Sequence, residues 1–550
     1  MKNILILAAG NRRRALAAAF TLTLGLGACH VTDVVPVDSV SEAVAYSDAS
    51  HVALSVTGVY DAAQSGFYNG NSGGSRGYPF GAAANEQGDV RGEDVADEAG
   101  FFAVVFQNSI TAASPNITYM WANCYAVANK ANVAIAGIQQ AATGGIITAS
   151  DELVYEGELR FLRALAHLEL VLNFARPYTD GNGSNPGVPY RTVPNNTVAN
   201  VTTSAAQDRG TVADDYTQML ADLDFAETNL PTTRSGLGSF GSVTRATKGA
   251  AIALKQRIRL YQGNWAAAIT EGNKLITGTT TFTSPIGSYM LMPTQRAAFP
   301  GGTAVTVENI FSVENSSTDN PGVNGALANV YGSSAAAPTG IAGRALLAVS
   351  PNLYNAPFFT CSDLRRTVMM QQDGGLRTAY VLKKYTDAVT STDFAPIIRY
   401  AEVLLNQAEA QARTGNSAVA LNLLNAVRNR SVATTDQYAT GSLTGTGLVQ
   451  AILNERRVEL VGEGFRWGDI SRLAKDTQYA PIAGGGIPAK FNGQLSGQVV
   501  LARYGCGNTA QLTGQAIPAV AYSSPLFLWP IPSSETQTNP VLAAQQNPGY

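Results

Sequence analysis

One scheme is used twice in this chain, and it limits the fold more than any other feature. Residues 247–278, TKGAAIALKQRIRLYQGNWAAAITEGNKLITG, read as helix, a Gly263-Asn264 turn, then a second helix. Residues 401–430 repeat the order around Gly415-Asn416. Alanines follow both turns, at 266–268 and at Ala418 and Ala420, so two antiparallel helices can approach closely. Within 396–415 Leu404, Leu405, Ala408 and Ala412 recur at three- and four-residue spacing, which predicts an amphipathic helix opened after Pro396 and stopped by Gly415. The scaffold is therefore expected to be helical.

Other helices are expected at 41–63, at 119–140, in a long buried stretch before Pro177, and at 212–230. Between them lie two regions with little helical period and much Gly, Asn and Ser, at 66–106 and 279–393. Irregular stretches this long inside a helical scaffold read as ligand-binding surface. The N-terminus has Lys2 and Arg12 to Arg14, then an apolar run over 15–28 that is too short for a comfortable membrane span and ends Leu26-Gly27-Ala28-Cys29. That ending resembles a bacterial lipobox, so 1–28 is expected to be a lipoprotein signal peptide and Cys29 the lipid attachment site. Residues 29–40 form a tether, and 41–550 one composite domain.

After removal of 1–28 the chain holds 33 basic against 40 acidic residues, a net charge of −7. That balance, with no basic stripe and no later apolar run, argues against nucleic acid and leaves the anchor as the one membrane contact. Of the later cysteines, Cys124 sits in a helical pattern and is read as buried. Cys361 and Cys506 lie in loop-like sequence, where pairing and two free thiols are both open.

Catalytic apparatus is not evident. His30, His51 and His167 belong to no metal spacing, and no GxSxG appears. GLGSFG at 236–241 fits a dinucleotide-type pattern but lacks the strand before it, so it reads as a loop. Glu455, Glu459 and Glu463 are placed on one helical face, and glycoside hydrolysis uses two carboxyls about 5 to 9.5 Å apart. Arg456, Arg457, Arg466 and Arg472 are interleaved with them, which suits ion pairs between helices rather than a general acid. The acidic run VRGEDVADEAG lacks EF-hand spacing and is expected to be a solvated loop. No enzyme activity, cofactor or metal is expected.

Three segments carry a resemblance. They are the 396–415 helix; the run Glu455, Arg456, Glu459, Leu460, Glu463, Gly464, Arg466, Asp469; and the ending LFLWPIP…NP…QNPGY. In this order they resemble the SusD/RagB family of outer-membrane nutrient-binding lipoproteins. Trp121, Tyr125, Ala131, Asn132 and Ile135, then Glu158, Arg160, Phe161, Arg163 and Ala164, resemble further family patterns. The resemblance implies a mainly α SusD-like fold with tetratricopeptide-like hairpins plus an irregular loop-rich half. It implies an outer-membrane location facing the exterior, a SusC-like TonB-dependent transporter as partner, and capture of an oligosaccharide for uptake, or of a peptide as some members do. A scaffold for the transporter without affinity of its own is the remaining alternative. Sugars are held by rings stacked on their C–H faces and by polar groups on their hydroxyls. The candidate ligand residues are Tyr78, Phe80, Phe101, Phe102, Tyr289 and Tyr331, with Arg76 and Asp94 as polar partners.

Overall fold

The structure is a computed structural model that describes residues 42–65, 76–335 and 342–550. The expected signal peptide, Cys29 and the tether lie outside the described residues. The longer helices, in chain order, are α1 (Ala49–Ser65), α2 (Ala83–Val90), α3 (Pro115–Thr143), α4 (Ala149–Phe174), α5 (Val198–Ala205), α6 (Val212–Asn229), α7 (Lys248–Tyr261), α8 (Trp265–Asn273), α9 (Tyr400–Arg413), α10 (Ser417–Arg428), α11 (Gly445–Glu459) and α12 (Phe465–Leu473).

Local chemistry sets most of their starts. Thr148 caps α4 by accepting the Asp151 N–H, and Thr211 and Asp214 form a capping box on α6. Thr247 and Asn264 cap α7 and α8 through the amides of Ala250 and Ala267. Gly263 and Gly415 stand at φ +70° and +89°, the left-handed geometry that reverses the chain between paired helices. Both expected hairpins are present, α7 with α8 and α9 with α10. They stack through α8 and α7 against α9, while α3 packs on α4, α4 on α6, and α6 on α7. Between hairpins Gln256 Nε2 donates to Gln407 Oε1 (3.2 Å), and Gln407 Nε2 to Asn273 Oδ1 (2.8 Å). A Cβ on Gly272 would lie 2.0 Å from that Gln407 oxygen and 2.4 Å from Gln256 Nε2, so a larger residue there would have to push this pair of amides aside.

Among the described residues eight short strands form four two-stranded antiparallel sheets: β1 (Val95–Asp97) with β3 (Leu347–Val349), β2 (Asn309–Val313) with β6 (Ala395–Arg399), β4 (Met370–Gln372) with β5 (Tyr380–Leu382), and β7 (Gly486–Ile487) with β8 (Val520–Ala521). Here the structure corrects the sequence reading. Pro396 does not open α9; it pairs with Ser312 in β6, and the helix begins at Tyr400. The β-branched Ile397 and Ile398 beside a partner strand outweigh the helical period there.

Residues 66–75 of the first irregular region lie outside the described residues, and the remainder, 76–106, is less loop-like than its composition suggests. It contains α2 and β1, and Asp89, Glu93, Asp94, Asp97 and Glu98 are all at most 6% exposed, so the expected solvated acidic loop is an interior segment. Tertiary partners explain the difference. Asp89 accepts the N–H groups of Gly462 (2.7 Å) and Gly464 (3.1 Å), and the Glu93 carboxylate accepts from Arg466 (2.6 Å). The described residues of the 279–393 region, which exclude 336–341, keep their irregular character, with only short strands and single-turn helices.

One hydrophobic cluster extends from Val52 to Leu542, and a smaller one gathers Trp467, Ile470 and Phe527. Cys361 and Cys506 form a disulfide, and Cys124 is a buried free thiol. No described helix is long and apolar enough to cross a membrane.

Candidate functional site

The residues that made the sequence recognisable are buried and paired with one another. Glu459 accepts from Arg365 (3.2 Å), Arg399 (3.1 Å) and Arg430 (2.7 Å); Glu463 accepts from Lys384 (2.6 Å) and from two nitrogens of Arg399 (2.6 and 2.8 Å). Glu455 accepts from Arg365 (2.5 Å) and Arg428 (3.2 Å). Glu463 lies beyond the end of α11, so the three glutamates do not share one helical face as expected. Burial by itself would raise the Glu459 and Glu463 carboxyls, but the cations around them win, bringing Glu459 down to about 2 and Glu463 below its ordinary value. A carboxylate so held cannot serve as a general acid near neutral pH.

The other patterns behave alike. Arg163 makes two hydrogen bonds to Asp222 (2.8 and 2.6 Å), and Arg472 two to Glu409 (2.8 and 2.7 Å). Asn547 Nδ2 donates to the carbonyls of Phe174 (2.8 Å) and Trp529 (2.7 Å). His167 is fully buried, its Nδ1 against the Arg163 carbonyl at 2.8 Å and its Nε2 accepting the Arg191 N–H at 3.1 Å. Burial lowers its pKa to about 4, which keeps the imidazole neutral. Among the described residues no group of His, Cys, Asp and Glu is arranged to hold a metal ion.

Six of the eight candidate ligand residues stand in the interior. Tyr78, Phe80, Phe102, Tyr289 and Tyr331 are at most 4% exposed, and Asp94 is 3% exposed. Each polar end has a protein partner. Tyr78 Oη accepts from Gln87 (3.1 Å) and Asn116 (3.0 Å), Tyr331 Oη donates to Asp89 (3.0 Å), Tyr289 Oη meets Thr247 Oγ1 (3.1 Å), and Asp94 accepts from Arg457 Nε (3.0 Å). Their side chains have little face left for a ligand from solvent.

Arg76 and Phe101 are different. Asp97, the last residue of β1, accepts the N–H groups of Ala99 (3.2 Å) and Phe102 (3.0 Å). This curls the loop so that Phe102 enters the core and Phe101 stays half-buried at its edge. The Arg76 guanidinium lies 4.6 Å from the Phe101 ring centroid. Arg76 itself stands at φ +50°, and a Cβ on Gly325 would lie 2.7 Å from its Cα, so the segment is pinned beneath the 320s loop.

The register of β1 with β3 brings Leu347 opposite Asp97, and Arg344, three residues earlier, reaches within 5.8 Å of the same ring. Arg344 Nη1 also donates to the Val323 carbonyl (3.3 Å) and to Asn324. No carboxylate forms an ion pair with either guanidinium among the described residues. The sequence reading missed Arg344; its link to Phe101 depends on a strand pair joining positions about 250 apart, which no local pattern signals. The result is a half-buried ring with the Arg76 guanidinium over it and the Arg344 guanidinium farther off, able to offer its remaining face to a C–H surface and the remaining arginine N–H groups to hydroxyls or carboxylates.

A second aromatic group escaped the sequence reading as a unit. Tyr354, Tyr380 and Tyr504 are half-buried, with centroids 4.6 to 5.2 Å apart, beside the Cys361–Cys506 disulfide.

Comparison with known proteins decides the relationship. Residues 367–550 match the SusD family model, and residues 79–260 match a model described as starch-binding associating with outer membrane. The fold agrees: a SusD superfamily protein from Bacteroides fragilis superposes with a TM-score of 0.70 at 26% identity, covering 90% of this chain and 98% of that one. The chain belongs to the SusD/RagB family. A laminarin-binding SusD-like protein has the same fold at 20% identity, with a TM-score of 0.65 over 92% of this chain and all of the other. The SusD-like protein P38 of Formosa agariphila is 34% identical over 94 residues, a match spanning 16% of this chain and 19% of that relative. Set on this SusD-like fold, the conspicuous arginines and carboxylates of the family segments are scaffold, and the Phe101 edge belongs to the irregular half.

Proposed function

We propose that this SusD-like protein captures an oligosaccharide at the Phe101 edge and delivers it to a SusC-like TonB-dependent transporter, held to the outer membrane by a lipid on Cys29 and facing the exterior. The observation that carries the reading is the half-buried Phe101 ring with the unpaired guanidiniums of Arg76 and Arg344 at 4.6 and 5.8 Å. A sugar ring presents a C–H face for the phenyl group and hydroxyls for the arginine N–H groups that remain once Arg344 Nη1 has bonded Val323 and Asn324. The laminarin-binding relative supports a glycan over a peptide. The locked state of the carboxylates around Glu459 supports binding without turnover.

Titration calorimetry of the detergent-solubilised chain against a panel of neutral and acidic oligosaccharides tests this, with product analysis of the same samples. Binding to one sugar class without new products, lost in Phe101→Ala, is expected. Binding of mixed peptides but of no sugar moves the assignment to a peptide carrier, and released product overturns the non-catalytic reading.

A further inference from the structure

One face each of α11 and α12 lines a cleft of about 200 Å³, and none of the residues of the Phe101 edge borders it. Gln450, Leu453, Asn454 and Arg457 meet it from α11 at spacings of three and four, and Arg466, Asp469 and Leu473 from α12. Residues 478–481 and Pro488 complete the lining. That wall is fixed in place. Asp476 accepts the N–H groups of Gln478 (2.9 Å) and Tyr479 (3.0 Å), and is itself held by Arg413 Nη1 (2.8 Å).

The two arginines of the cleft are oriented by carboxylates. Arg466 donates from Nε and Nη2 to Glu93 (3.0 and 2.6 Å), while Arg457 donates from Nε to Asp94 (3.0 Å) and sets its Nη2 3.0 Å from Glu93 Oε1. Both Nη2 atoms therefore meet one oxygen, which brings the guanidiniums side by side. Neither Nη1 has a protein partner among the described residues, and each keeps accessible surface although the side chains are only 18% and 11% exposed. Two N–H groups held rigidly and left unused can orient a ligand at little cost in entropy.

The rest of the lining offers hydrogen bonds without net charge. Glu93 and Asp469 balance Arg457 and Arg466, and Asp469 is already taken by Arg456 and Arg472, each at 2.9 Å. Gln450 Nε2 donates to Asn454 Oδ1 (3.0 Å), which leaves the Gln450 oxygen and the Asn454 amide hydrogens open. The Gln478 side chain has no partner among the described residues and is exposed. Leu453, Leu473, Pro481 and Pro488 set apolar patches between these groups.

Paired donors in a neutral wall, amides that both give and accept, and apolar patches between them suit a molecule with hydroxyls at its edge and C–H groups on its faces. We propose that the cleft of α11 and α12 binds one neutral pyranose ring, with Arg457 Nη1 and Arg466 Nη1 donating to neighbouring hydroxyls and Asn454 and Gln478 bonding the others. This is a second site, and it does not rest on the Phe101 assignment.

Titration calorimetry of the full chain in detergent tests it, with the methyl glycosides of glucose, galactose and mannose as neutral probes and glucuronate and glucosamine as charged ones. One neutral glycoside is expected to bind more tightly than either charged probe, with the same affinity in wild type and in Phe101→Ala. Asn454→Ala/Gln478→Ala, which alters no buried side chain, is expected to weaken that binding about tenfold, the scale of two neutral hydrogen bonds. Asn454→Trp, which fills the cleft, should abolish it. Absence of glycoside binding overturns the proposal, as does tighter binding of glucuronate or glucosamine. Unchanged affinity in the double variant and in Asn454→Trp also overturns it. Loss of glycoside binding in Phe101→Ala overturns it too, because the sugar would then be held at the first site.

Discussion

Arg399 and Glu463 meet through two hydrogen bonds of 2.6 and 2.8 Å, with both side chains about 1% exposed. The pair joins β6 to the turn after α11, and Glu308 and Glu459 share the same guanidinium. Removing one partner leaves charges buried without compensation. Arg399→Met is therefore expected to cost about 3 to 5 kcal/mol, read from the midpoint of urea unfolding followed by circular dichroism. A loss below about 1 kcal/mol would show that the network relaxes around the gap.

Acid should act on the same network. Burial alone would raise the carboxyls of Glu459 and Asp469. The guanidiniums of Arg430, Arg399 and Arg365 around the first, and of Arg456 and Arg472 around the second, hold both at about 2 instead. A carboxyl lowered on folding adds stability that is complete above its unfolded pKa, about 4. That stability is lost as pH falls through the folded value. The unfolding free energy from urea titrations should drop between about pH 4 and pH 2, by roughly 2 kcal/mol for each group. Asp469→Asn should flatten the slope in that window. An unchanged slope would mean that other groups govern acid unfolding.

The Cys361–Cys506 bond spans 145 positions. Closing a loop of that size restricts the unfolded chain by an amount the chain-entropy model puts near 5 kcal/mol, with 2 to 4 kcal/mol typical in practice. Thermal unfolding with and without dithiothreitol should show a clear fall in Tm on reduction. The same samples should give no maleimide labelling of Cys124 while folded, since that thiol is buried.

At the proposed sugar edge, Phe101→Ala is expected to weaken oligosaccharide binding by about 1 to 3 kcal/mol with little change in Tm, because the ring is only half-buried. Arg344→Gln should weaken it less. Tyr331→Phe is the contrasting case: its hydroxyl bonds Asp89 inside the protein, so it should lower stability and spare binding. The opposite pattern would place the ligand elsewhere.

Helix positions were legible because they rest on local chemistry. The three- and four-residue spacing of Leu404, Leu405 and Ala408, the capping threonines and the reversals at Gly263 and Gly415 act within a few residues. The ion pairs around Glu459 were legible in kind, since arginines and glutamates alternate in the chain, although their partners on other elements were not. Burial of Asp94, Tyr78, Phe80 and Phe102 could not be read, because it depends on partners far along the chain, among them Arg457 and β3. Arg344 had no signal at all. Composition marked both irregular regions as alike, while tertiary partners drew most of the first inside and left one ring of it at the edge.

The Phe174 carbonyl near the end of α4 is met from two directions, by Arg209 Nη2 at 2.8 Å and by Asn547 Nδ2 at 2.8 Å. Asn547 is 373 positions later in the chain and also receives a hydrogen bond from Arg209 Nη1 at 2.8 Å. The clasp is therefore incomplete until residue 547 has emerged from the ribosome. Closure of this corner of the fold therefore waits for the last few residues of the chain, whatever the rest of it has already done.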